Sequence, residues 1–376
     1  MHIEPFAVEE WMNAYENDCQ WNLAETCVAS LTVGGLLKLT GQTEYFQQQV
    51  LDLHLTYGAI EGSSRLRAAI AALYDSVDAE QVVVTHGAIG ANHLAYLALI
   101  EAGDEVVSVV PSYQQHYSIP ESLGATVHRV PLYAERGWLP DEDELLAAIG
   151  PKTKLVTFTN PNNPTGSVLG NDLLTRVVAK AQSVGAYILA DEVYRGIGGT
   201  QPSIADLYDR GIAVGSMSKA FSLAGLRLGW LVAPPEVRAA VTIHRDYTTI
   251  SVGMVDDLLA AIALEHAPLI LDRSTRIAAT NQQILSDWVE TQPALTYNQP
   301  RPVSGTTAFI GYDPQQLGRG RTGSYDLCRD LLTATGVMLT PGGAFGWEHH
   351  LRFGYANSTE VLEAGLDQVG QYLTTA

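Results

Sequence analysis

The chain has 376 residues, is 46% hydrophobic and 17% charged, and carries a formal net charge of -19. That length suits two globular domains, one large, and the modest charged fraction excludes a disordered chain. The negative field disfavours nucleic acid and anionic membrane as general partners, and no apolar run reaches the ~18 residues that a membrane span needs. Cys19, Cys27 and Cys328 match neither a zinc site nor a disulfide framework. With no basic start leading into an apolar core, a reducing cytoplasm is the expected location.

In chain order, residues 7–17 read as a short amphipathic helix and 22–36 as an extended segment leading into a helix. Helices are expected at 65–74, 91–102, 142–149 and 173–183. Strands are expected at 81–84, 105–110, 126–130, 154–158, 186–190, 212–214 and 228–233. Apolar strands alternating with helices predict an α/β fold, with a mostly parallel sheet covered on both faces. Residues 251–263 and 269–290 read as helices. Beyond them come short strands at 307–312, 337–340 and 350–353, with helices at 325–335 and 361–373. This predicts a smaller α+β domain. The expected division is an N-terminal arm over 1–40, a large domain over 41–280 and a small domain over 281–376.

Polar residues cluster just past the strand ends: Thr85-His86-Gly87, Pro111-Ser112-Tyr113, Asn160 to Gly166, Asp191 to Tyr194 and Ser216 to Lys219. In open α/β sheets ligands bind outside such ends, so five loops should meet in one crevice. Lys219 follows the apolar run Ile212 to Val214, flanked by small polar residues, with Arg227 between Gly225 and Gly229. A desolvated lysine near cationic groups loses pKa and attacks carbonyls. Arg227 is a natural phosphate fork. Together they suggest pyridoxal phosphate.

With Asn163-Pro164-Thr165-Gly166, Asp191-x-x-Tyr194, Ser216-x-x-Lys219 and Arg227 in hand, the chain resembles the class I/II aminotransferases, fold type I pyridoxal-phosphate enzymes, from about Tyr57 to the C-terminus. The resemblance implies an aspartate aminotransferase-like fold. It implies pyridoxal 5'-phosphate held covalently by Lys219, which also serves as the general base. Asp191 would pair with the ring nitrogen. Asn163 and Tyr194 would bond the ring's phenolic oxygen, and Tyr113 would stack on the ring. Backbone amides of Gly87, Ala88 and Ile89, opening a helix at Gly90 or Ala91, would hold the phosphate with Ser216, Ser218 and Arg227. Tyr57 would reach the neighbouring subunit's phosphate, implying a homodimer with shared sites. Arg352, after the Pro341 to Gly346 loop, would grip the substrate's α-carboxylate. His86 reads as a hydrogen-bonded structural residue.

The activity implied is transfer of an amino group between an L-amino acid and a 2-keto acid. Lyase, cyclase and oxidase chemistry share the same cofactor residues. The segment 22–36 resembles that of capreomycidine synthase and related arginine oxidases through Val28-x-x-x-Thr32-x-Gly34. An arginine-like substrate follows, with Glu25 and Thr26 as candidate substrate contacts. Ala29 stands where some of those oxidases carry a histidine, which argues against oxygen-dependent chemistry.

Overall fold

A computed structural model describes residues 2–199, 201–298, 300, 304–317 and 323–374. The chain opens with helix α1 (Ala7–Tyr15), strand β1 (Trp21–Asn22) and helices α2 (Val33–Thr40), α3 (Thr43–Leu51) and α4 (Ser64–Ala71). Local chemistry fixes two of these starts. The Thr32 hydroxyl accepts the Gly35 amide ahead of α2, and the Ser63 hydroxyl accepts the Leu66 amide ahead of α4.

Among the described residues, the strands that follow are β2 (Val82–His86), β3 (Glu105–Val110), β4 (Thr126–Tyr133), β5 (Leu139–Pro140), β6 (Thr153–Thr159), β7 (Tyr187–Asp191), β8 (Gly211–Ser216) and β9 (Leu228–Val232). They form one sheet in the order β2-β9-β8-β7-β6-β3-β4-β5. Neighbours from β8 through β4 run parallel. β9 is antiparallel to both β8 and β2, so β2 shares their direction. The ends of β2, β3, β6, β7 and β8 therefore open on one edge, where β9 begins. Val106, Val107, Leu155, Val156, Ile188 and Leu189 are all fully buried. Both faces of these strands are covered, which explains their unbroken apolar runs.

The helix Ala267–Glu290 packs against a smaller unit beyond it. There β10 (Leu295–Thr296), β11 (Thr307–Tyr312), β13 (Thr340–Pro341) and β14 (His350–Gly354) form an antiparallel sheet in the order β10-β11-β14-β13. β12 (Val337–Met338) pairs instead with β1, in parallel. The single strand expected over 337–340 is thus two pieces belonging to different sheets.

Among the helices outside the sequence expectation are α3, the short Ile204–Leu207 and Gln115–Ser122, which contains Pro120 and buries Gln115, His116 and Ser118. A helix whose inner face is polar has no apolar period to read.

At the open edge, β9 and β2 meet through Gly229 and Thr85. A side chain at Gly229 would collide with the carbonyl carbon of Gly87 and the amide nitrogen of Ala88. This close approach lets β9 carry Arg227 up to the helix start beyond β2. Gly229→Ala should cost about 1–3 kcal/mol by overpacking, read as a lower denaturant midpoint, and should weaken retention of a phosphate-bearing ligand on dialysis.

Candidate active site

Helix α5 (Gly87–Leu99) starts directly from β2, with no side-chain cap on its N-terminus. The expectation of a helix opening at Gly90 or Ala91 is therefore corrected: it opens at Gly87. Gly87 has φ 65, and a Cβ there would lie 3.1 Å from Arg227 Nη2. The Thr85 hydroxyl donates to the Gly87 carbonyl at 2.9 Å. Arg227 is steadied by Nη1 donating to the Ala224 carbonyl at 2.9 Å. Across the edge, the Ser216 hydroxyl accepts the Ser218 amide at 3.2 Å. Free amides at a helix start beside a guanidinium make an anion cradle.

Asp191 closes β7 and is only 5% exposed. Its Oδ2 accepts from Asn92 Nδ2 at 2.9 Å, and its Oδ1 from the Val193 amide at 3.3 Å. Burial pushes its carboxyl up to about 6, against those hydrogen bonds. His116 Nε2 stands 3.8 Å from the same carboxylate. Burial drives that imidazole down to about 3, so at neutral pH it is no counter-ion. It is held instead between Thr159, Thr157 and the Tyr96 hydroxyl.

Lys219 Nζ donates to the Thr26 hydroxyl at 2.7 Å and to Cys27 Sγ at 3.5 Å, and lies 3.8 Å from Glu25 Oε1. Here the structure reverses an expectation. Burial does oppose the ammonium, but Cys27, Tyr194 and Glu25 outweigh it, so the unliganded lysine is raised, not lowered. Glu25 is the anion of this group at neutral pH. Despite burial, Lys219 and hydrogen bonds from Cys27 and Thr26 hold it down near 2. The Cys27 thiol is pushed up to about 11 by burial and stays neutral.

Arg352 on β14 is 3% exposed. Its Nη1 donates to Asn163 Oδ1 at 3.2 Å, and its Nη2 to the Ala24 carbonyl and the Thr340 hydroxyl at 2.8 and 3.0 Å. Its Nε is buried with no hydrogen-bond partner. Among the described residues no carboxylate pairs with it.

Lys219, Asp191, Tyr113, Asn163, Tyr194, Ala88, Ile89, Ser216, Ser218, Arg227, Arg352, Glu25 and Thr26 all line one cavity of about 520 Å³. Gly87 is not among the lining residues but lies against Arg227, which is. Tyr57 is not among them. It is 71% exposed and lines a separate cavity of about 260 Å³ with Tyr45 and Met254. Of the His86 ring, expected to be hydrogen-bonded, Nδ1 is buried without a partner.

Sequence reasoning missed three parts of this site. Helix α1 and the Glu16 that caps its end form a wall through Val8, Glu9, Met12, Asn13 and Glu16, and Glu9 Oε1 accepts from the Tyr113 hydroxyl at 2.6 Å. Nothing in the sequence links positions so far apart. Cys27 had only its spacing to the other cysteines as a signal. Asn92 did offer one: with His93 it interrupts the apolar run between Ala91 and Leu94, five residues beyond Gly87.

These residues fit pyridoxal phosphate. The Gly87 turn leaves room where a Cβ would crowd Arg227, and among the described residues no cation is bonded to the buried Asp191 carboxylate. Comparison with known proteins agrees. Residues 50–369 match the family described as aminotransferase class I and II. Capreomycidine synthase of Streptomyces vinaceus is 31% identical, over 98% of this chain and 93% of its own length. A crystal structure of a PLP-dependent aminotransferase from Streptococcus suis is 41% identical with a TM-score of 0.94, covering 100% of this chain and 99% of that one. The PLP-dependent cyclase OrfR is 27% identical with a TM-score of 0.89, covering 100% and 98%. This protein belongs to the class I and II aminotransferases, a pyridoxal phosphate-dependent family.

Proposed function

We propose that the protein transfers an amino group between an L-amino acid and a 2-keto acid. The observation that carries this reading is Arg352: a buried guanidinium with an unpaired Nε and no carboxylate partner among the described residues, opening on the cavity that holds Lys219. A buried cation of that kind is completed by a bidentate carboxylate. An amino acid whose carboxylate sits on Arg352 and Asn163 presents its α-carbon toward Lys219.

Bound here, pyridoxal phosphate supplies an aldehyde for the substrate's amine and a ring that accepts electrons as the α-proton leaves. Gly87, Ala88, Ile89, Ser216, Ser218 and Arg227 hold its phosphate. Asp191 keeps the proton on the ring nitrogen. Asn163 and Tyr194 orient the phenolic oxygen, and Tyr113 covers a ring face. Lys219 anchors the cofactor and, once freed, takes the proton from the substrate's α-carbon at Nζ. Thr26 and Glu25 place that nitrogen. We further read the protein as a homodimer in which Tyr57 serves the neighbouring subunit. Leu51, Leu55, Tyr57, Ile243 and Tyr247 are all more than 60% exposed. Ser251 bonds the Tyr57 carbonyl, so both segments share one surface.

A second reading is a lyase, cyclase or oxidase acting on an arginine-like amino acid. Glu9, Glu16 and Glu25 line the cavity and favour a cationic side chain, and the similarity to capreomycidine synthase and a PLP-dependent cyclase points the same way. Product analysis separates the two. Transfer requires a 2-keto acid acceptor and yields its amino acid. Turnover of the amino acid without any acceptor would overturn the first reading in favour of the second.

Borohydride treatment of the holoenzyme should fix one cofactor mass on the peptide containing Lys219. In Lys219→Ala that adduct and turnover should both vanish. Arg352→Lys should lose roughly 10–100-fold in kcat/KM for amino acids, the worth of charged hydrogen bonds. Its reaction with a simple amine lacking a carboxylate should be unchanged, as half-reaction kinetics would show.

A further inference from the structure

We propose that Asn92 is a positioning residue for the cofactor, its side-chain amide holding the Asp191 carboxylate as the anion that a protonated ring nitrogen needs. The inference rests on the proposed pairing of Asp191 with that nitrogen.

Asn92 is 1% exposed and lies on α5, the helix whose first turn forms the anion cradle. Its Nδ2 to Asp191 Oδ2 distance of 2.9 Å is the shortest hydrogen bond that this carboxylate accepts. The other neighbours are poor substitutes. The Val193 amide donates at 3.3 Å to the other oxygen. His116 Nε2, 3.8 Å away, is engaged with Thr159 at 3.1 Å. Asn92 Oδ1 is buried without a partner. Turning the amide over would set that oxygen against a carboxylate, so only the donating end can face Asp191. A buried acceptor left unpaired is unfavourable, and the bond to Asp191 is what offsets it. Gln115 completes the link: its Oε1 faces Asn92 Nδ2 at 3.4 Å, and its Nε2 donates to the Ile89 carbonyl at 3.0 Å. One helix thus holds both ends of the cofactor, the phosphate through its first turn and the ring nitrogen through Asn92.

A neutral hydrogen-bond donor favours the charged form of a carboxylate. Removing it should release the ring proton at lower pH without disturbing the phosphate cradle. The test loads the protein with pyridoxal phosphate labelled with nitrogen-15 in the ring and follows that nitrogen's chemical shift against pH, together with the cofactor's dissociation constant. In Asn92→Leu the ring proton should be lost roughly one pH unit lower, with about tenfold weaker cofactor binding. Asn92→Ser, which keeps a donor, should lie between Asn92→Leu and the unsubstituted protein, and it carries the test if Asn92→Leu does not fold. A titration and affinity unchanged in a folded variant would overturn the proposal and leave Asn92 a structural pin. Asp191→Ala serves as the control. If the ring stays protonated in Asp191→Ala, the pairing of Asp191 with the ring nitrogen fails, and this proposal fails with it.

Discussion

The structure turns on a carboxylate taken out of water. Asp191 sits at the end of a fully buried strand, where a charge is unfavourable unless a cation or several donors meet it. The protein supplies an asparagine amide, one backbone amide and a neutral imidazole at longer range. None of these is a cation, and burial accordingly lifts the acid to about 6. The protonated ring nitrogen proposed to pair with Asp191 would relieve that imbalance.

The mirror of that imbalance is Arg352. The one cavity holds a carboxylate short of a cation and a guanidinium short of a carboxylate. Lys219 lines it too, tied to Thr26, Cys27 and Glu25 of the segment following β1. Sheet order makes this possible. Five strands end at one edge, β9 begins there, and the smaller antiparallel sheet brings Arg352 in through β14.

Much of this was legible in the sequence because its signals are local. Continuous apolar runs marked the buried strands, and the motifs at Asn163, Asp191, Ser216 to Lys219 and Arg227 fell where those strands stop. What was not legible depended on distant segments meeting. The direction of β9 cannot be read from an apolar run, since antiparallel and parallel strands look alike when both faces are buried. Helix Gln115–Ser122 buries polar residues and lacks a hydrophobic period. The lysine's basicity is not legible because Cys27, Tyr194 and Glu25, the last 194 positions away in the chain, lie beside it only in space. The α5 start was misplaced because Gly87, which looks like a turn residue, is the first residue of the helix.

Helix α1 is anchored on both flanks of the cavity. Ahead of it and at its start, the Pro5 carbonyl and Ala7 amide bond the side chain of Gln114. On its other side Trp11 donates to the Leu339 carbonyl, between β12 and β13. It therefore bridges the large sheet's edge and the smaller unit like a hasp, with Glu9 fastened to Tyr113 on its inner side. A chain shortened by its first twenty residues would keep both sheets yet lose a cavity wall and this brace, so its selectivity would not be that of the intact protein.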